Sequence, residues 1–158
     1  WIAVAFLFQV PAVCAAADWQ YHRAQEGLQM VQVINDSKAR VAISRPPKLA
    51  DKTYYLLFKA PKGTRALEDC PGKGCPSLRI QVDGKAPHTL KVEPSIKNTN
   101  VITMFFSESS SLLHEMKAGY SMTVSFHDSV SNKPRVEKFS LKGLTASLAQ
   151  FEKAMGGN

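Results

Sequence analysis

Apolar and polar residues alternate with a period of two through much of this chain, most clearly in its last third. Tyr120, Met122, Val124 and Phe126 alternate with Ser121, Thr123, Ser125 and His127, the pattern of a strand with one buried face. The opposite face is small and hydroxylic, suited to water or a partner. A polar run from His127 to Pro134 must reverse the chain. The return strand keeps Val136, Phe139 and Leu141 apolar, a spacing that predicts a bulge or a change of face. Leu144, Leu148, Phe151 and Met155 then recur along one helical stripe, with Gly156 and Gly157 placed to end the helix.

Working forward from Trp19, the same reading predicts a first strand in which Trp19 and Tyr21 share a face. Leu28–Ile34 and Ala39–Ser44 form a hairpin across Asn35 to Lys38, and Pro46 and Pro47 stop its second strand. Tyr54–Ala60 is continuously apolar and predicts a central strand covered on both faces. Leu78, Ile80 and Val82 alternate with Arg79 and Gln81 before Asp83-Gly84, a two-residue hairpin signal. The partner strand carries Leu90 and Val92. Val101–Phe106 is another buried strand. Ser109–Ala118 is a short helix capped by serine, docked by Leu112, Leu113 and Met116, and ended by Gly119. Eight or nine short strands with two helices predict a mainly β protein: an antiparallel β-sandwich with a short helix and a C-terminal helix.

Composition adds a compartment. Residues 1–17, WIAVAFLFQVPAVCAAA, carry no charge and end in three alanines, the form of a secretory signal peptide. Gln9 and Pro11 interrupt the run, which argues against a retained membrane helix. Residues 18–158 are then a single exported β-sandwich domain, large enough to bury roughly two thirds of its unfolded surface. An exported location follows, with no transmembrane segment in the mature chain. Cys14 falls inside the signal, where Pro-Ala-Val-Cys resembles a lipoprotein cleavage box apart from Val13. Cys70 and Cys75 remain as an even pair in DCPGKGC, and export makes a local disulfide the expected outcome. So short a closure stabilises by only about 2 kcal/mol. Redox and zinc readings rank lower, because the pair has four intervening residues and lacks further ligands.

The formal charge of +7 lies wholly outside the first seventeen residues. It favours anionic partners such as lipid headgroups, cell-wall polymers or an acidic protein. The basic residues are scattered, and no nucleic-acid motif accompanies them, so nucleic acid is not expected. Candidate binding residues are Lys73 in the cysteine loop, Arg79 on the following strand, and His127. The chain has no Gly-rich phosphate loop and no nucleophile elbow. His22, His88, His114 and His127 are dispersed, and Glu108 and Glu115 make a weak carboxylate pair. His127-Asp128 reads as an Asp-initiated turn beside a solvent-facing histidine. No catalytic residue, metal or cofactor is expected, and Tyr54, Tyr55, Phe58, Phe105 and Phe106 read as core packing.

Several of these segments together resemble the invasion-associated locus B family of secreted bacterial proteins. They are Lys117-Ala118-Gly119, the strand Met122-Thr-Val-Ser-Phe126, and Phe139-Ser-Leu-Lys-Gly-Leu-Thr-Ala146 running into a terminal helix. Trp19, the strand ending Val82-Asp83-Gly84, and SSSLLHEMKAG follow the same order. The family's cysteines fall elsewhere, so its disulfide arrangement does not transfer. The resemblance implies an exported β-sandwich linked to host-cell interaction, with no defined reaction. The expected function is a non-enzymatic binding protein for an envelope or host macromolecule. The alternative is a periplasmic inhibitor or immunity protein that blocks a toxin or cell-wall hydrolase with a loop such as Cys70 to Cys75.

Overall fold

A computed structural model describes residues 18–23, 29–45, 53–66, 78–90 and 101–156. Within them the chain forms β1 (Gln20–Arg23), β2 (Gln29–Ile34), β3 (Arg40–Ser44), β4 (Thr53–Lys59), β5 (Leu78–Val82), β6 (His88–Leu90), β7 (Val101–Ser107), α1 (Ser111–Ala118), β8 (Ser121–Asp128), β9 (Lys133–Ser140) and α2 (Leu144–Gly156). One sheet has the order β1-β2-β3-β4-β7 and the other β6-β5-β8-β9. Every pairing is antiparallel. The expected antiparallel sandwich with a short helix and a C-terminal helix is therefore what the chain forms.

The core follows from the period-two pattern. Val31, Val33, Val41, Ile43, Tyr54, Leu56, Phe58, Ile102, Met104 and Phe106 face inward from the larger sheet, and all are buried. Leu78, Ile80, Val82, Met122, Val124, Phe126 and Phe139 meet them from the smaller one. Phe58 joins the layers, its ring 5.2 Å from that of Phe126 and 6.4 Å from that of Phe139. Leu144, Leu148 and Phe151 of α2 are buried, as are Leu112, Leu113 and Met116 of α1. Helix α2 lies against β1 and β2 and touches α1, which rests on β5. Tyr54 Oη donates to Glu152 Oε1 at 3.0 Å, tying β4 to α2. Burial and that carboxylate push the Tyr54 phenol well above its ordinary range.

Four expectations change in detail and a fifth is resolved between its alternatives. Tyr120 leaves the inward stripe: strand β8 starts at Ser121, and the Tyr120 ring is 86% exposed. Of the bulge and the change of face expected in the return strand, the change of face is formed, because β8 and β9 pair without a slip from Ser121↔Ser140 to Asp128↔Lys133. Val136 and Phe139 are an odd number of residues apart and so occupy opposite faces, Val136 being 63% exposed. Strand β4 is central, between β3 and β7, yet only its inner face is fully covered, with Tyr55 and Leu57 half-buried outside. Asp83 and Gly84 both take positive φ, 45° and 73°, and Lys85 N donates to Val82 O. The ladder with β6 resumes only at Ile80↔His88, so the loop is longer than two residues. Tyr55 and Phe105, read as core, stack edge-to-face at 4.6 Å on the outer side of the larger sheet.

The N-terminal segment is fastened to the C-terminal block. Trp19 is buried, and its Nε1 donates to Ser140 O at 2.8 Å. Trp19 N donates to Lys142 O at 3.0 Å, and Trp19 O accepts from Ser147 Oγ at 2.9 Å. Gly143 has φ +81°, and a Cβ there would sit 3.2 Å from Trp19 O. Lys142 Nζ lies 3.3 Å from Asp18 Oδ2, an exposed pair that adds little.

Phe151 is completely buried beside Tyr54. Phe151→Ala should lower unfolding stability by about 3–5 kcal/mol, read from urea denaturation. A loss below about 1 kcal/mol would mean that α2 does not close the core.

Candidate functional site

Residues that face away from the core on β5, β8 and β9 form a continuous surface. Cross-strand register sets Arg79 beside Ser125 and Val136, and Gln81 beside Thr123 and Lys138. His127 opposes Pro134 in the next row. On β6, Thr89 extends the surface past Arg79. The face thus carries two fixed cations, a histidine, several hydroxyls and the exposed Val136, with no carboxylate among these positions. Two of the three binding candidates named from sequence, Arg79 and His127, share this face. Lys73, like Cys70 and Cys75, lies outside the described residues. His127 Nε2 is 2.9 Å from Asn132 Oδ1, so the ring is steadied by the turn it precedes.

Two carboxylates hold the two ends of β8, the central strand of this face. At the start of the strand, Asp83 accepts from Tyr120 N at 2.9 Å and from Ser121 N at 2.8 Å. Gly119 is required by space: a Cβ there would lie 2.6 Å from Val82 Cγ1 and 2.9 Å from Asp83 Oδ2. At the far end, Asp128 Oδ1 accepts from Arg65 N at 3.0 Å and Val130 N at 3.1 Å. Its Oδ2 accepts from Ser131 Oγ at 2.6 Å and faces Arg135 Nε at 3.5 Å. The Asp-initiated turn expected at this point is present, and it also pins the segment after β4 through Ser129 N, which donates to Arg65 O.

These donors act on the charges they hold. Ser131 and the Arg65 and Val130 amides, helped by Arg135, pull the Asp128 carboxyl from its ordinary 3.8 to about 2 against an opposing effect of burial. The Tyr120 and Ser121 amides lower Asp83 in the same direction. Sequence reasoning saw Asp83 only as a turn residue and Asp128 only as a local cap. Partners 37 and 63 residues away in the chain leave no mark in a local pattern.

The other histidines and acids do not converge. His88 Nε2 meets Glu115 Oε2 at 3.0 Å, joining β6 to α1. His114 is exposed on α1. Among the described residues, no group of three His, Cys, Asp or Glu side chains is placed to hold a metal ion. Among the same residues, no helix is long and apolar enough to cross a membrane.

Two facing antiparallel sheets closed by a terminal helix define the structural class. In that class stands a solved structure, the crystal structure of invasion associated protein B from Bartonella henselae, to which this chain is similar. The match has a TM-score of 0.60 at 14% sequence identity and covers 87% of this chain and 94% of the other. At that identity the likeness is one of fold. No family model matches the sequence, and no curated protein matches it.

The Asp128 shift has a pH consequence of definite sign. Above about pH 4 the carboxylate is charged in folded and unfolded chains alike, so its full stabilisation is present. As pH falls from about 4 towards 2, the unfolded chain takes up the proton first and that stabilisation is lost. Asp128→Asn keeps the shape without the charge. Urea midpoints measured across this range should fall less steeply for the variant, from a lower neutral value; matching slopes would contradict the assignment.

Proposed function

We propose that the protein is an exported, non-enzymatic bacterial binding protein, periplasmic or secreted, that engages an anionic envelope component through the outer face of β5, β8 and β9. The observation that carries this reading is the composition of that face: Arg79 and Lys138 beside serine and threonine hydroxyls, exposed Val136, and no acid among the positions facing outward. The net charge of +7 adds long-range attraction of the same sign. The fold likeness to invasion associated protein B is compatible with a protein of that kind, and a role by contact with host or envelope macromolecules belongs to this proposal. The second reading, an inhibitor acting through the Cys70 to Cys75 loop, gains no specific support from the described residues.

Sedimentation with phosphatidylglycerol vesicles tests the face. Wild-type protein should bind them in preference to phosphatidylcholine vesicles and be released by salt. The double variant Arg79→Glu, Lys138→Glu should bind at least about tenfold more weakly with an unchanged melting temperature. Equal binding by the variant would remove the face from the account, and turnover of a substrate by the purified protein would remove the non-enzymatic reading.

A further inference from the structure

A cleft of about 480 Å³ opens where the β2–β3 turn approaches β9 and the start of β8. That is inside the range of about 300–1,000 Å³ typical of small-ligand sites. Its walls are built before any ligand arrives. Asn35 Nδ2 donates to Glu137 Oε2 at 2.8 Å and to Lys138 O at 3.2 Å, while Asn35 Oδ1 accepts from Ser37 Oγ and Ala39 N. Ser37 Oγ also contacts Glu137 Oε2. Asn35 Nδ2 and Ser37 Oγ, whose single hydrogen is shared between Asn35 Oδ1 and Glu137, both meet Oε2, so Glu137 Oε1 accepts no hydrogen bond from a described residue and remains available to a ligand.

At the mouth stands Tyr120, its ring 86% exposed although its backbone is clamped. Tyr120 N donates to Asp83 Oδ2, and Tyr120 O accepts from Leu141 N at 2.9 Å. A large ring held in water on a rigid backbone contributes nothing to the core. It supplies a flat apolar platform at low entropic cost to whatever binds.

The lining chemistry selects among ligands. Glu137 and Asp36 oppose an anion, while Lys138 in the cleft and the +7 charge of the chain oppose a cation. A neutral molecule that carries hydroxyl donors and acceptors around an apolar C–H face meets neither penalty. Its hydroxyls would donate to Glu137 Oε1 and to a lone pair of Ser37 Oγ, and its C–H face would lie on the Tyr120 ring. We propose that this cleft binds a short neutral saccharide. The cleft adjoins the cationic face and shares Lys138 with it, but the sugar reading rests on Tyr120 and Glu137, so its failure would leave the reading of that face untouched.

Titration of the 15N-labelled protein with maltose, cellobiose and di-N-acetylchitobiose tests it. At least one sugar should give saturable shifts at Asn35, Ser37, Tyr120, Ser121 and Glu137. Tyr120→Ala should weaken that binding about tenfold or more, and Tyr120→Phe should retain most of it. Because the ring is exposed, neither variant should alter the melting temperature, which separates lost recognition from lost fold. No response to any of the three sugars up to about 50 mM, or full binding by Tyr120→Ala, overturns the proposal. Saturable binding of Nα-acetyl-lysine methyl ester in place of the sugars overturns its chemistry.

Discussion

The fold depends on how the indole and backbone of Trp19 are gripped by the segment between Phe139 and Ser147. Three hydrogen bonds join them, two from Trp19 to the carbonyls of Ser140 and Lys142 and one from Ser147 to the Trp19 carbonyl. The residues concerned lie 121 to 128 positions apart in sequence. This contact brings the chain just before β1, an edge of the larger sheet, against the end of β9, an edge of the smaller one. The same turn launches α2, so the lock also directs the helix that packs on Tyr54. A buried indole N–H left without its acceptor costs about 1–3 kcal/mol, a large share of the stability of a small domain.

Further out, the structure relies on side chains of one segment satisfying the backbone of another. Asp83 holds the first amides of β8, and Asp128 holds the amide of Arg65, each across a long loop. Asn35 does the same for the carbonyl of Lys138 on the β9 edge, and Glu137 returns the contact. Such contacts limit edge-to-edge pairing, as do Pro134 and the basic residues of β9. They also leave two rigid surfaces with no packing duty: the hydroxyl-rich face with Arg79 and the cleft below Tyr120. A protein that works by contact needs surfaces held in this way, because ordering them only on binding would weaken the complex.

Most of the architecture was legible in the residue pattern. The inward stripes of β5 and β8, the serine-capped helix and the buried face of α2 follow directly from periods of two and 3.6. The resemblance drawn from the Phe139 to Ala146 segment and Trp19 agrees with the fold likeness to invasion associated protein B. Local patterns fail where a residue answers to a distant partner. Tyr120 continues the apolar alternation of β8, yet Asp83 fixes its backbone before the strand begins and leaves its ring in water. Gly119 could be read as a helix stop, while its crowding against Val82 and Asp83 could not. Of the site, Arg79 and His127 were accessible from alternation, whereas the Glu137, Asn35 and Ser37 cluster joins opposite ends of the chain and left no local trace.

Two glycines separate the lock from ordinary backbone strain. Gly63 has φ +83° with nothing within 4 Å of a built Cβ, and Gly143 has φ +81° with Trp19 O at 3.2 Å. Replacing each by alanine imposes the same dihedral penalty of about 1 kcal/mol, but only the second also crowds Trp19. Equilibrium urea unfolding of Gly63→Ala and Gly143→Ala therefore isolates the contact. The account predicts a clearly larger loss for Gly143→Ala; an equal or smaller loss would show that the grip on Trp19 does not hold the sandwich together.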